Sequence, residues 1–143
     1  MGEALILKAL SIYGLQEIPG EQHHPLILEM FKAAGADWID DDETAWCSAL
    51  LCWVAEQVGC IHPKSVRARD WLSVGIPVVE PRLGDIAVYW RVSKQSGYGH
   101  AHLYVSNNDV YNYGLGGNQG NMVNIGEYRR DRLLGYRRLQ TAA

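Results

Sequence analysis

The sequence predicts an α+β domain, with helices packed on one face of a small antiparallel sheet. Two observations carry this. Up to about residue 72 the apolar residues recur at helical spacing, and after Pro77 they fall into short runs separated by Gly, Asn, Asp and Ser. A third is length: 143 residues suffice for one domain with a real core, and residues 1–143 are read as one unit.

The elements follow in order. Ala4 to Tyr13 has helical spacing and ends near Gly14. Glu17-Ile18-Pro19-Gly20 is a turn signal. Leu26 to Ala34, after His24-Pro25, reads as a second helix stopped at Gly35. Asp37 to Glu43 is an acidic loop, and Thr44 is a candidate N-cap for a third helix, Ala45 to Val58, closed by Gly59. Its near-continuous hydrophobicity predicts a central, buried helix. Ser65 to Leu72 reads as another short helix. Leu83-Gly84-Asp85 turns into a strand, Ile86 to Trp90, and a polar loop, Ser93 to Gly99, leads to a second, His100 to Val105. Ser106 to Asp109 is a turn, Val110 to Tyr113 a strand, and Gly114 to Gly120 a glycine-rich loop. Met122 to Ile125 and Leu133 to Leu139 are the last predicted strands.

Composition excludes several classes. The formal net charge is −3 and no long basic run occurs, which argues against nucleic-acid binding. No apolar stretch approaches the roughly 18 residues of a membrane-spanning helix, so stable membrane insertion is not expected. The start, Met-Gly-Glu-Ala-Leu-Ile-Leu-Lys, lacks the features of a signal peptide, so synthesis in a cytoplasm is expected. Three cysteines, Cys47, Cys52 and Cys60, make a poor disulfide framework, and no CxxC pair suggests zinc. No cofactor or metal is expected, and the chain is expected to be a monomer.

Cys47 falls two or three residues into the buried helix. The partial positive charge of a helix N-terminus stabilises a thiolate, and its N–H groups, that of Cys47 among them, can receive an oxyanion. Cys52 and Cys60 read as small core residues. The acidic run Asp40 to Glu43 would raise a nearby thiol's pKa unless its side chains point away; Asp42 is then a candidate for binding a cationic part of a substrate. A thiol needs a base. His100 follows Gly97-Tyr98-Gly99 at a strand start, and His102 shares its face. His23, His24 and His62 lie in loops or after a helix. The base in turn needs an acceptor that fixes its tautomer, and Asn112, Asn118 and Gln119 are the candidates. Trp46, Tyr98 and His102 are candidate substrate contacts, with Trp38, Trp71, Trp90, Tyr111 and Tyr113 available to line a groove; Trp53 reads as core. Each has a plainer alternative: buried cysteines are common, and Gly and Asn are ordinary turn residues.

Four segments together resemble a known group. They are Glu17-Ile18-Pro19-Gly20 with His23-His24-Pro25, Thr44-Ala45-Trp46-Cys47-Ser48-Ala49, Gly84-Asp85-Ile86-Ala87-Val88 with Gly99-His100, and Leu115-Gly116-Gly117-Asn118-Gln119. Their order is similar to that of CHAP and NlpC-like hydrolases, and in detail to a small CHAP-related family of phage and bacterial proteins. The resemblance implies a papain-like fold, Cys47 as nucleophile, His100 as general base, and acyl-transfer cleavage of bacterial peptidoglycan by an amidase or endopeptidase. Trp46 stands where NlpC-like proteins usually carry Asp, and no Glu occupies the third position usual in CHAP domains. Asn118 takes that role first, with Asn112 and Gln119 behind it.

The absent signal peptide fits a phage-type lysin released to the cell wall or periplasm, and equally a delivered antibacterial toxin. A metal-dependent amidase using His100-Ala101-His102 is one alternative. A non-catalytic wall-binding module of the same fold is another. The basic tail from Tyr128 to Arg138 reads as solvated surface, with anionic wall polymers as its other use.

Overall fold

A computed structural model describes residues 1–16, 25–36 and 45–142. The turn signal at Glu17-Ile18-Pro19-Gly20, His23, His24, Trp38, the acidic run with Asp42, and Thr44 lie outside the described residues. Among the described residues three helices come first: α1 (Gly2–Leu10), α2 (Pro25–Ala33) and α3 (Ala45–Val58). A 3-10 helix, Ala68–Ser73, leads to six strands: β1 (Ile76–Val78), β2 (Ile86–Trp90), β3 (Gly99–Asn107), β4 (Tyr111–Gly116), β5 (Asn124–Arg129) and β6 (Leu133–Arg138). They form one sheet in the order β1-β6-β2-β3-β4-β5, every neighbouring pair antiparallel. This is the mixed helix and antiparallel-sheet architecture that the sequence predicts.

Helix α3 is the centre. From Trp46 to Ala55 every residue is buried, Ser48 included. Such a helix has no solvent face to make polar. It packs on α2, α1 and β3. Gly59 ends it with φ 88°, and the N–H of Cys60 closes back on the Ala55 carbonyl at 2.8 Å. A glycine takes that left-handed turn without a Cβ clash. The start of α3 is tied down as well. Trp71 Nε1 donates to Ser48 Oγ at 2.8 Å, and Ser48 Oγ donates to the Ser65 carbonyl at 2.7 Å.

Strand residues two apart share a face, and antiparallel partners directly opposite share it too. Ile86, Val88, Ala101, Leu103 and Leu115 belong to the apolar core with the three helices. Ala87, Tyr89, Tyr104 and Tyr136 form a second cluster, with Tyr128 packed against it. One face is thus aliphatic and the other aromatic and polar. His100 pairs with Tyr89, and His102 with Ala87, so both histidines lie on the aromatic face.

The departures from the predicted elements have local causes. Strand β1 carries Pro77, which cannot donate to a ladder; it survives because β1 is an edge paired only with β6. Strand β4 runs through Gly116, into the predicted glycine-rich loop, and those glycines make room for side chains from β3. Strand β5 continues beyond Ile125 to Arg129 and carries Tyr128. The basic tail is therefore the end of β5, a short 3-10 turn (Arg130–Arg132) and β6.

Candidate functional site

The loop before His100 is fixed by one side chain. Arg69, from the 3-10 helix, donates to the carbonyls of Tyr98 (2.9 and 2.8 Å), Lys94 (2.7 Å) and Ser93 (3.1 Å). Gly99 then passes so close to β2 that a Cβ there would stand 2.7 Å from the Tyr89 carbonyl oxygen. The Gly-His pair at the strand start is a steric requirement of this crossing.

His100 and His102 are both buried, 2% and 0% exposed, and both point at one atom. His100 Nε2 and His102 Nδ1 each lie 3.0 Å from Gln119 Oε1. The other end of that amide settles the protons. Gln119 Nε2 donates to the Asn124 carbonyl (2.7 Å), to Asn124 Oδ1 (2.9 Å) and to the Gly114 carbonyl (3.3 Å). Asn124 Nδ2 returns a bond to the Gln119 carbonyl at 3.0 Å. With its nitrogen committed to acceptors, Gln119 offers both histidines an oxygen, which can only accept. Both facing ring nitrogens are therefore N–H donors.

The consequences differ for the two rings. Burial, and then the neighbouring His102, hold His100 well below the ordinary histidine range, so it is neutral. Its bare nitrogen is Nδ1. Burial likewise lowers His102 to about 4, against the smaller opposing effect of Gln119. Its bare nitrogen is Nε2, and that accepts the Tyr89 hydroxyl at 2.7 Å. His102 is engaged at both nitrogens, whereas Gln119 occupies only Nε2 of His100.

Tyr128 completes the cluster. Its ring stacks on His100 at 4.2 Å between centroids and 5° between planes, with His102 edge-on to both. Burial, and then the charge of Cys47, push the Tyr128 phenol up to about 12. The nucleophile candidate thus lies within electrostatic reach of the residue stacked on the base candidate. Cys47 itself sits in the first turn of α3, 1% exposed. Cys52, further along α3, is pushed to about 11 by burial, and Cys60 is also buried and raised. None of the three cysteines is in a disulfide.

Gln119, not Asn118, holds His100; Asn118 sits half-buried in the adjoining turn at φ 58°. Asn112 is buried on the same face, but its Nδ2 donates to the Tyr136 hydroxyl at 2.9 Å. Trp46 is buried against the backbone of Gly117, and His102 is enclosed between Tyr89 and Gln119. Trp71 is core, as is Trp53. Tyr98 is exposed on the loop that leads to His100. Among the described residues no three His, Cys, Asp or Glu side chains gather to hold a metal ion. The HxH pair directs N–H groups, not lone pairs, at its common partner, which does not fit metal ligation there.

Sequence reasoning missed Tyr89, Tyr128 and Asn124. Alternation along β2 puts Tyr89 and Ala87 on one face, but only the register sets Tyr89 against His100. Tyr128 lay beyond the predicted end of its strand.

No protein-family model matches the chain, and no curated protein matches it.

Proposed function

We propose that this protein is a cysteine hydrolase of the papain-like kind that cleaves a peptide or amide bond in bacterial peptidoglycan, as an amidase or an endopeptidase. The observation that carries the chemistry is the fixed tautomer of His100: Gln119 takes its Nε2–H, leaving Nδ1 as the basic nitrogen on a ring stacked against Tyr128. The substrate rests on the four sequence segments that resemble CHAP-related hydrolases. A phage-type lysin is the favoured setting, with a delivered toxin as its counterpart.

On this reading Cys47 gives its thiol proton to His100 Nδ1, and the sulfur adds to the scissile carbonyl. The helix N-terminus, being positive, favours both the thiolate and the oxyanion. The tetrahedral adduct collapses as His100 passes the proton to the leaving amine, and a thioester remains. Water, losing a proton to His100, attacks the thioester and frees the acid and the thiol. Gln119 accepts from the imidazolium throughout, as a neutral orienting group. Because Cys47 and His100 are sealed from solvent, turnover on this reading includes an opening step.

The test is incubation with peptidoglycan beside a Cys47→Ala variant checked for folding, with released fragments weighed by mass spectrometry. Fragments from the wild type alone support the reading and name the bond. Equal release by both would show Cys47 to be structural, and no release from several wall types would remove the substrate assignment.

A further inference from the structure

The hydrogen bonds on the aromatic face run in one direction. Tyr89 Oη donates to His102 Nε2 at 2.7 Å; His102 Nδ1 donates to Gln119 Oε1 at 3.0 Å; and the same oxygen accepts from His100 Nε2 at 3.0 Å. Each member has one proton arrangement that satisfies every neighbour. The space for this chain is made by glycine. A Cβ on Gly114 would overlap the His102 ring, one on Gly116 would stand 2.8 Å from His102 Cβ, and one on Gly126 would stand 2.8 Å from Gln119 Nε2. Two strands thus give up three side chains to admit two.

From this geometry we infer that His102 is a positioning residue: with Tyr89 behind it, it forms a second arm on Gln119 that holds the amide oxygen, and through it the His100 ring, in the tautomer with Nδ1 bare. The inference rests on the hydrolase reading for its effect on rate, and on geometry alone for its effect on the ring. His102 is neither a substrate contact nor an alternative base, because its only bare nitrogen is filled by Tyr89. Its edge also abuts His100, with 5.5 Å between ring centroids and 82° between planes, so it limits rotation of the base as well as orienting its partner. A Gln119 held from Asn124 alone keeps its nitrogen in place, but its oxygen then faces a single donor and loses the second lock.

The experiment uses the full chain, ring-labelled with nitrogen-15, and the variants His102→Ala, His102→Asn, His102→Gln and Tyr89→Phe, each with kcat and KM on peptidoglycan. An asparagine amide nitrogen stands about where Nδ1 stands and a glutamine's about where Nε2 stands. His102→Asn therefore keeps the donor to Gln119, and His102→Gln does not. In the wild type the ring spectrum shows His100 bare at Nδ1 and His102 bare at Nε2. In His102→Ala and His102→Gln the His100 signals shift toward a mixture of tautomers, and kcat falls about fivefold to tenfold at unchanged KM, the worth of roughly one neutral hydrogen bond in the transition state. In His102→Asn both stay near the wild type. Tyr89→Phe loosens the tautomer of His102 and lowers kcat less.

Should His102→Ala fail to fold, the asparagine, glutamine and phenylalanine variants decide alone. Rescue by glutamine but not asparagine overturns the inference, as do unchanged His100 ring signals in every variant that lacks the donor. A wild type that cuts no wall material defeats the hydrolase reading, and the ring signals still decide this one. A loss of kcat with His100 ring signals unchanged overturns the positioning role and leaves the hydrolase reading standing.

Discussion

Lowering the pH from about 7.5 to about 4.5 loads the fold through His102. In the unfolded chain this histidine titrates near its ordinary 6.5; in the native protein burial holds it to about 4. Between those values the unfolded state binds a proton that the native state refuses, so stability falls as the pH falls. The contribution is intact above about pH 6.5 and is spent near pH 4. Each pKa unit corresponds to about 1.36 kcal/mol, so a shift of two to three units sets a ceiling of about 3 kcal/mol, and about 2 kcal/mol of it is gone by pH 5. That is a large part of the roughly 5–15 kcal/mol that holds a domain of this size. His100, lowered in the same direction and also by burial first, adds to the effect. The assay is urea unfolding of the wild type and His102→Asn across this range. The variant starts less stable, having lost the bond from Tyr89, but it carries no titrating ring at 102. Its deficit therefore narrows by about 2 kcal/mol on acidification to about pH 5. A deficit constant from about pH 7.5 to pH 4.5 would refute the claim that His102 is held neutral.

Two more outcomes follow from the proposed hydrolase reading of the site. Alkylation by iodoacetamide near pH 7.5, followed by peptide mapping, should label Cys47 well ahead of Cys52, because the first lies at a helix start and burial pushes the second to about 11; faster labelling of Cys52 would contradict the assignment of the nucleophile. Gln119→Ala removes the acceptor for both histidines, and kcat on peptidoglycan should fall by about a hundredfold or more while the Asn118→Ala variant stays within about threefold of the wild type; the reverse ranking would return the orienting role to Asn118.

Much of this arrangement is legible in the sequence. The bounds of α3 coincide with those predicted, because an apolar run closed by glycine has few alternatives. The shared face of His100 and His102 follows from the strand period alone, and the glycine-containing loop before His100 marks where β3 starts, one residue earlier than predicted. Three things did not follow. Choosing Gln119 over Asn118 requires knowing which of two adjacent turn residues has its side chain turned inward, and that depends on Asn118 taking φ 58°. The burial of His102 depends on β5 reaching far enough to lay Tyr128 beside it, whereas its apolar pattern fades after Ile125. The glycines of β4 read as a loop because glycine-rich runs usually are one; here they are recesses in a strand.

Those recesses couple the residues that face them. Position 102 and the glycines at 114 and 116 share one volume, as do position 119 and the glycine at 126. Neither Gly114 nor Gly116 can gain a side chain while histidine stands at 102. A side chain at 114 becomes tolerable only after 102 has shrunk, and a ring at 102 can arise only in a background already bare at 114 and 116. The substitutions are therefore ordered as well as coupled. A histidine at 102 therefore presupposes glycine at 114 and 116, and the network cannot be grafted onto a strand that carries side chains at those two positions.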